Sequence, residues 1–422
     1  MRVGWSGSSA ARGERRRYAS TVESNGGVMN EQDGRLSIAM VGTRGVPARY
    51  GGFETAVEEI GARLADRGHA VRVYCRSGNG EHEASEHRGM RLVTRPALRH
   101  RALETLSHTG LSVAHLVRHR TDVAFVFNAA NAPFLPLLRA ASIPVATHVD
   151  GLEWQRAKWG PAGRRYYRGA EAASVSLSDA LVADAQGIAD YYRDEFGATT
   201  RLLAYGAPRD VAPAPERLEE LGLEPQGYHL VVARFEPENH VLEIVRGYVG
   251  SEAALPLVVV GSAPYAASYT QAVGRAAGGD PRVRLLGGMW DQSLLDALYA
   301  NARSYLHGHS VGGTNPSLLR ALGAGTPTIA YDVSFNREVL GVAGLYFAGA
   351  DDLPSGLREA EAEDDAGRAE RVRALLARAT DYSWDDVALG YERLAYDLRD
   401  RTTPGPQRGR RRSPSRPGEG RR

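Results

Sequence analysis

The stretch LSIAMVGTRGVPARYGGFETAVEEIGARLADRGHAVRVYCR, residues 36–76, decides the fold class. A short apolar run is followed by a glycine-rich loop, an amphipathic segment and a second apolar run. In the amphipathic segment, apolar residues recur at helical spacing at Ala56, Val57, Ile60 and Leu64. Gly68 then supplies a natural helix stop. This order of strand, loop, helix and strand predicts a parallel sheet with helices on both faces.

The same order of elements occurs twice along the chain. Further strands are predicted at 122–129, 143–151 and 180–185, and the pattern starts again near residue 228. The second half contains the apolar runs YHLVVARF, PLVVVGSAP, VRLLGG, SYLHGH and PTIAYD. We therefore predict an α/β protein with two doubly wound, Rossmann-like domains. Because ligands bind beyond the carboxyl ends of parallel strands, the two glycine loops should face each other across one cleft.

The ends of the chain differ in composition from its middle. Residues 1–35 and 399–422 are poor in apolar residues, so we expect a disordered leader and a basic disordered tail. Met29 is an alternative start to Met1. Between these two ends we predict an N-terminal domain at residues 36–205 and a C-terminal domain at residues 206–382. Residues 383–398 should form a last helix, which could pack back on the N-terminal domain.

Composition excludes several classes of protein. The 422 residues carry a net charge of +2, which argues against a nucleic-acid partner. The single cysteine, Cys75, excludes an internal disulfide, and its strand-like setting favours a buried structural thiol. No window holds the roughly 20 consecutive apolar residues of a membrane helix. We expect a cytoplasmic protein, which could contact the inner face of the cell membrane peripherally.

Both glycine loops have features of phosphate-binding loops. In GTRGVPARYGGFE, Gly51 and Gly52 would let the backbone approach a ligand at a helix N-terminus, where unpaired N–H groups carry partial positive charge. In GGTNPSLLRALGAG, Thr314 or Asn315 can cap the helix and Pro316 suits its first position. A well-capped helix without a ligand explains the second loop equally well. Neither loop has the G-x-G-x-x-G pattern of nicotinamide-binding proteins.

Two further segments carry candidate binding residues. Arg234 follows a buried strand and can donate two hydrogen bonds to a phosphate, or pair with Glu236 or Glu238. Together with the two loops it favours a diphosphate ligand. The segment THVDGLEWQRAKWG, residues 147–160, suits sugar binding because it combines polar and aromatic side chains. In it we take His148 and Asp150 as functional and Glu153, Trp154 and Lys158 as candidates, whereas packing is favoured for Trp159.

Several motifs are absent from the sequence. It has no D-x-D pair for a metal-bound nucleotide, no H-E-x-x-H, no paired cysteines and no G-x-S-x-G. These absences favour a diphosphate site that uses no metal and no cofactor.

Taken together, the motifs resemble those of the family 4 retaining glycosyltransferases, which have the GT-B fold. More narrowly, GTRGVPARYGGFE, DGLEWQRAKW, RFEPEN, GHSVGGTNPSLL and FNREVLG are similar to members with a rhamnosyltransferase-like N-terminal domain. The resemblance covers about residues 36–398 and implies a hexosyltransferase activity that needs no metal. It also implies a nucleotide-sugar donor on the C-terminal domain and a glycan or lipid-linked acceptor on the N-terminal domain.

The resemblance assigns roles to individual residues. It implies that Gly51 and Gly52 approach the donor phosphates, that His148 lies near the transferred sugar and that Arg234 binds the diphosphate. The loop members that would hold the donor are Gly312, Gly313, Thr314, Asn315 and Ser317.

The chain departs from the family pattern at two positions. Asn239 stands where many members have a lysine, and Arg320 stands where a glutamate would accept hydrogen bonds from ribose hydroxyls. We predict that Arg320 leans toward the diphosphate; alternatively it turns to solvent or pairs with a nearby carboxylate, which would leave a weak or inactive enzyme. Arg320 keeps open the interpretation that the protein is a catalytically silent GT-B binding or partner subunit. A nucleotide-sugar epimerase and a nicotinamide oxidoreductase are weaker alternatives.

Overall fold

A computed structural model describes residues 34–48, 51–77, 84–98, 103–149, 151–156, 159–262 and 267–402. Every contact given below lies within the compact unit that begins at Ser37. The predicted leader and tail lie almost entirely outside the described ranges. Within those ranges, no helix combines the length and the apolar character needed to cross a membrane.

The first sheet has eight strands in the order β3-β4-β2-β1-β5-β6-β7-β8. Its strands are β1 (Ser37–Val41), β2 (Ala70–Arg76), β3 (Glu86–His87), β4 (Met90–Arg95), β5 (Val123–Phe127), β6 (Val145–His148), β7 (Ala180–Ala183) and β8 (Arg201–Leu202). All neighbouring pairs are parallel except β3 and β4. The central strands are buried throughout, which explains why they occur as continuous apolar runs.

Helices cover both faces of the first sheet. They are α1 (Gly52–Asp66), α2 (Glu104–Arg118), α3 (Leu135–Ala140), α4 (Pro161–Leu177) and α5 (Gln186–Phe196). The connection from β1 to β2 runs in one direction along the sheet. The connections from β4 to β5 and from β5 to β6 run in the opposite direction. Because such crossovers are right-handed, α1 lies on one face and α2, α3 and α4 lie on the opposite face.

The second sheet has six parallel strands in the order β11-β10-β9-β12-β13-β14. They are β9 (His229–Val232), β10 (Leu257–Val260), β11 (Val283–Gly287), β12 (Ser304–His307), β13 (Thr328–Tyr331) and β14 (Leu345–Phe347). The helices that follow are α6 (Val241–Val249), α7 (Ala267–Ala277), α8 (Gln292–Asn301), α9 (Pro316–Gly323), α10 (Ser334–Leu340), α11 (Leu353–Ala362) and α12 (Asp365–Ala379). Two parallel-sheet α/β domains are therefore present, as the sequence predicts.

The last helix, α13 (Trp384–Arg399), packs against α1 of the first domain. Ser383 caps it by accepting a hydrogen bond from the backbone N–H of Asp386. Its Tyr391 is fully buried and lies edge-on to Phe125, with ring centroids 5.0 Å apart. The chain thus returns to the N-terminal domain after completing the second sheet.

The cysteine has a structural role. Cys75 is buried at the end of β2, and a Cβ added to Gly45 would lie 2.5 Å from its sulfur. Burial raises the pKa of the Cys75 thiol to about 11, so the thiol stays protonated.

Candidate functional site

A cleft of about 690 Å³ lies at the carboxyl ends of the strands, as the fold class predicts. The first domain contributes the end of its glycine loop and the first turns of α1, and the second contributes the ends of four strands and the start of α9. The segment 206–210 and the start of α13 complete the wall. Of the predicted site residues, the cleft is lined by Gly51, Gly52, Arg234, Asn239, Asn315, Ser317 and Arg320.

The N-termini of α1 and α9 meet at this cleft. A Cβ added to Gly52 would lie 3.3 Å from the ring of Pro316, so the absence of a side chain lets the two helix ends approach. Asn315 caps α9, because its Oδ1 accepts hydrogen bonds from the N–H (2.9 Å) and the hydroxyl (2.7 Å) of Ser317. The predicted cap is confirmed. The positive ends of two helix dipoles therefore converge on one volume.

The first half of the second glycine loop contacts the N-terminal domain instead of lining the cleft. The hydroxyl of Thr314 donates to the backbone carbonyl of Asp184 across 2.8 Å, and Thr314 is buried. A Cβ at Gly313 would lie 1.9 Å from the carboxylate of Asp184, so any larger residue there would displace that side chain. Gly312 has a φ of +125°, a conformation that side chains disfavour. Gly312, Gly313 and Thr314 thus join the two domains, a role that the sequence pattern did not indicate.

Arg234 and Asn239 lie together after β9. The side chain of Arg234 is 37% exposed at the cleft, and its Nη1 lies 3.6 Å from Oε1 of Glu236. Asn239 donates from Nδ2 to the carbonyl of Arg234 (2.8 Å) and pairs through Oδ1 with Nδ1 of His309 (2.8 Å). Asn239 therefore fixes the loop that carries Arg234.

The candidate sugar-binding residues that the sequence predicts at the end of β6 and beyond do not form one cluster. His148 is buried: its Nδ1 is 2.6 Å from the hydroxyl of Tyr391, and its Nε2 has no partner among the described residues. Burial lowers the pKa of His148 to about 3, so the imidazole is neutral. His148 does not line the cleft, but its ring lies beside that of Phe53, with centroids 5.2 Å apart, and Phe53 directly follows Gly52.

The structure does not bring Glu153 or Trp154 to the cleft. Glu153 is buried and its Oε1 accepts from the indole N–H of Trp159 (3.3 Å). Trp154 donates to the hydroxyl of Tyr191 (3.3 Å), inside the N-terminal domain. Packing thus accounts for both tryptophans. Asp150 and Lys158 lie outside the described residues.

Arg156 links the two domains through carboxylates. Its guanidinium lies 2.5 Å from Glu153, 3.4 Å from Glu238 and 3.6 Å from Glu236. Glu153 belongs to the first domain, whereas Glu236 and Glu238 precede α6 of the second. This network and the Thr314 hydrogen bond both connect the two domains.

Arg320 lines the cleft, but its guanidinium turns toward α8. Its Nη1 donates to Oδ1 of Asp296, which also accepts from Gln292 at 3.3 Å. The structure thus agrees with the alternative in which Arg320 pairs with a carboxylate. Among the described residues, no hydrogen bond or ion pair joins the Arg320 side chain to residues 312–317.

Four of the cleft residues that the sequence patterns missed carry rings. His307 ends β12 and His309 lies two residues beyond it. Burial lowers the pKa of His307 to about 3 and that of His309 well below its ordinary value. Trp290 stands at the rim and is 73% exposed. Trp384 stacks against Tyr205, with ring centroids 6.1 Å apart. The pattern H-G-H at a strand end was the available signal for the histidines.

Two family models match consecutive parts of the chain. Residues 50–203 match Glycosyltransferase Family 4, and residues 228–362 match Glycosyl transferases group 1. The chain belongs to the glycosyltransferases with the GT-B fold. The Glycosyltransferase Family 4 match includes the first glycine loop from residue 50 onward. The Glycosyl transferases group 1 match includes Arg234, Asn239 and α9.

Solved structures of this glycosyltransferase fold resemble the whole described chain. Sucrose-phosphate synthase from Thermosynechococcus elongatus superposes with a TM-score of 0.73 at 19% identity, covering 86% of this chain and 99% of that one. The Anabaena protein HepE, solved in complex with UDP-glucose, gives a TM-score of 0.71 at 16% identity, covering 86% and 100%. At these identities the likeness shows the fold alone.

One curated relative is similar in sequence. It is O-antigen chain mannosyltransferase B of Escherichia coli, 26% identical over 184 residues, which are 42% of this glycosyltransferase. The match spans about half, 48%, of the length of that relative. The rhamnosyltransferase-like character of the N-terminal domain stays a prediction.

Proposed function

We propose that this protein transfers a hexose from a nucleoside-diphosphate donor to a glycan or lipid-linked acceptor, with retained anomeric configuration, in the synthesis of a cell-surface polysaccharide. The observation that carries the proposal is the meeting of two helix N-termini, at Gly52 and Pro316, at a cleft that also contains Arg234. As the bond to the sugar breaks, negative charge builds on the leaving diphosphate. Fixed helix dipoles and a guanidinium stabilise that charge.

Six of the predicted residues that line the cleft have a place in this proposal. The backbone at Gly51 and Gly52 approaches the donor phosphates, and Arg234 donates to the diphosphate. Asn239 positions Arg234 because its side-chain amide donates a hydrogen bond to the backbone carbonyl of Arg234. Ser317 presents a hydroxyl that Asn315 and Tyr305 orient, because Tyr305 donates to it at 2.9 Å.

The transferred sugar is assigned to the region beyond Phe53. His148 is neutral and has a buried, unpartnered Nε2, so it could hydrogen-bond a sugar hydroxyl once Phe53 moves. Asp150, two residues further on, remains a candidate from the sequence alone.

We also propose that the reaction needs no divalent metal, because Arg234 and two helix ends supply positive charge at the diphosphate. Among the described residues, no group of three or more His, Cys, Asp or Glu side chains could hold a metal ion. Transfer should therefore continue in excess EDTA. Loss of activity on chelation, restored by added Mg²⁺ or Mn²⁺, would contradict this part of the proposal.

A donor screen tests the proposed activity. The Escherichia coli relative is named a mannosyltransferase and HepE was solved with UDP-glucose, so GDP-mannose and UDP-glucose are the first donors to test. Release of nucleoside diphosphate is measured first, and the anomeric configuration of the product is then assigned by NMR. Arg234→Ala should abolish turnover, whereas Arg275→Ala, at an exposed arginine of α7 outside the cleft, should not.

The pairing of Arg320 with Asp296 favours a second candidate function, a GT-B subunit that binds a nucleotide sugar without transferring it. In that case the cleft would bind a nucleoside diphosphate with measurable affinity, yet none of the donors would turn over. Calorimetry run beside the donor screen distinguishes the two functions.

A further inference from the structure

The outer surface of α2, α3 and α4 combines exposed leucines with arginines. These three helices pack side by side on one face of the first sheet. Leu103 and Leu111 are each 46% exposed, Leu137 is 50% exposed and Tyr166 is 37% exposed. Leu98, 59% exposed, adjoins them, because its N–H donates to the hydroxyl of Ser107 in α2 at 2.9 Å. Large apolar side chains exposed together on neighbouring helices mark an interaction surface.

Among the described residues, four arginines of this surface are not engaged with carboxylates, whereas Arg168 of α4 lies 3.3 Å from Glu195. Arg118, Arg139 and Arg164 donate to the backbone carbonyls of Ala114, Leu177 and Trp159, respectively, and Arg165 is exposed beside Arg164. In the described part of the chain, no carboxylate forms an ion pair with any of these four arginines.

Acidic residues on the same three helices are few and occupied. Glu104 lies 3.2 Å from the guanidinium of Arg76, and Glu171 is buried and accepts from the hydroxyl of Tyr191. The exposed surface of the three helices is therefore positively charged.

The opposite face of the first domain has the reverse composition. It is covered by α1 and α13, whose acidic residues are Glu54, Glu58, Glu59, Asp66, Asp385, Asp386, Glu392 and Asp397, against the basic residues Arg63, Arg67, Arg393 and Arg399. Among the described residues, positive charge and exposed leucines thus occur together on the face of α2, α3 and α4 and not on that of α1 and α13. A charge balance that keeps the protein in solution would not require such a separation.

We propose that the surface of α2, α3 and α4, defined by Leu103, Leu111, Leu137, Arg118, Arg139, Arg164 and Arg165, docks on an anionic phospholipid bilayer. Arginines on such a surface are attracted to lipid phosphates, and leucines that reach the acyl boundary add apolar burial. Nucleic acid offers the arginines the same phosphates but gives the leucines nothing to bury against.

The position of the surface relative to the cleft supports a bilayer. α2 and α4 both begin at the carboxyl edge of the sheet, where the first domain contributes to the cleft. Docking there would bring the cleft close to the plane of the membrane, within reach of an acceptor anchored by a lipid. Because docking requires no sugar transfer, it can be tested whether or not the proposed activity holds.

Vesicle co-sedimentation of the full-length chain tests the proposal. The protein is mixed with vesicles of equal parts phosphatidylglycerol and phosphatidylcholine, or of phosphatidylcholine alone. The triple variant Arg118→Glu, Arg139→Glu, Arg165→Glu should bind the anionic vesicles about tenfold more weakly or worse, since each basic residue near such a surface contributes to binding. The matched control is Arg275→Glu, Arg358→Glu, Arg373→Glu, which makes the same charge change at exposed positions of the second domain. This control should bind like the wild type.

A second variant tests the leucines. Leu111→Ser with Leu137→Ser removes exposed apolar side chains without opening the core, so thermal melting should be close to that of the wild type. Its remaining vesicle binding should be fully reversed by salt, whereas wild-type binding should be reversed only in part.

Three outcomes would overturn the proposal. The first is that the wild type does not sediment with anionic vesicles. The second is that the control triple weakens binding as much as the surface triple, which would indicate net charge or the shared arginine-rich tail as the cause. The third is that duplex DNA binds the wild type more tightly than the vesicles do and loses affinity for the surface triple.

Discussion

Arg320 donates from Nη1 to Oδ1 of Asp296, so a cation of α9 and an anion of α8 neutralise each other at the wall of the cleft. The two side chains are only 25% and 19% exposed. Because the charge of Arg320 is balanced locally, we expect Arg320→Ala to weaken UDP or GDP binding less than Arg234→Ala does. Calorimetry with both nucleotides and with the bare nucleosides measures the difference.

A double-mutant cycle isolates the Arg320 pair. Arg320→Ala, Asp296→Ala and the double variant should show a coupling of about 1 kcal/mol in the free energy of unfolding, the upper range for exposed ion pairs, because this pair is partly buried. If Arg320→Glu instead raises both nucleotide affinity and sugar transfer, the arginine impairs the site, and the silent-subunit interpretation gains support.

Arg234→Ala should weaken binding of a nucleoside diphosphate by roughly 1.5–3 kcal/mol, the usual contribution of a hydrogen bond to a charged group. The side chain of Arg234 is 37% exposed where it lines the cleft, so its guanidinium is accessible to a bound phosphate. The affinity of the bare nucleoside should stay unchanged, since it carries no phosphate.

Arg275→Ala serves as the matched control for Arg234→Ala, because Arg275 is exposed on α7 and does not line the cleft. Equal losses in the two variants, or wild-type affinity in Arg234→Ala, would remove Arg234 from the proposed site.

The sequence predicts the two sheets, a helix cap at Thr314 or Asn315 and seven of the residues that line the cleft, because these follow from local patterns. Apolar runs specify buried parallel strands, and a helix start after a strand can lie only at the carboxyl edge. Contacts between the domains were not predictable in this way. Thr314 reaches Asp184, and Arg156 reaches Glu238, through pairings that no spacing along the chain encodes.

Side-chain direction was the second limit of sequence reasoning. Helical geometry correctly places Arg320 one turn beyond Pro316. It does not predict which neighbouring side chain the guanidinium contacts. The partner, Asp296, comes from α8, and only the packing of α8 against α9 brings it close. Glu153 and Trp154 were candidates for sugar binding on composition alone, and the turn that contains them directs both side chains into the N-terminal domain.

The hydrogen bond from Thr314 to the carbonyl of Asp184 predicts a role in domain closure. Thr314→Val keeps the shape of the side chain but leaves a buried carbonyl without its donor, a loss of about 1–3 kcal/mol. We expect small-angle scattering to show a larger radius of gyration for this variant without ligand, and compaction on adding nucleoside diphosphate to the wild type.

Thr314→Ser retains the hydroxyl and is the control for the closure experiment. It should match the wild type both in scattering and in nucleotide affinity. If Thr314→Val and Thr314→Ser scatter alike, or if saturating nucleotide leaves every profile unchanged, closure through this contact is wrong.

Buried histidines should make the protein less stable as the pH falls below 6.5. Burial lowers the pKa of His108 to about 4 and that of His148 and His307 to about 3. In the unfolded chain these side chains titrate near pH 6.5, so between pH 6.5 and 4 the unfolded state binds more protons than the folded state. The free energy of unfolding therefore falls with pH in this window, by up to about 1.4 kcal/mol per pH unit for each histidine.

Urea unfolding at pH values from 7.5 down to 5 measures how the free energy of unfolding changes with pH. This range is chosen because most carboxylates titrate below it. His108→Gln removes one of the titrating groups at a buried position away from the cleft, so its stability should depend less steeply on pH than that of the wild type, although its absolute stability at pH 7.5 can differ. A wild-type stability that is flat or rises as the pH falls from 6.5 to 5 would show that these imidazoles are protonated in the folded protein. The neutral His148 assigned to the sugar-binding region would then be wrong as well.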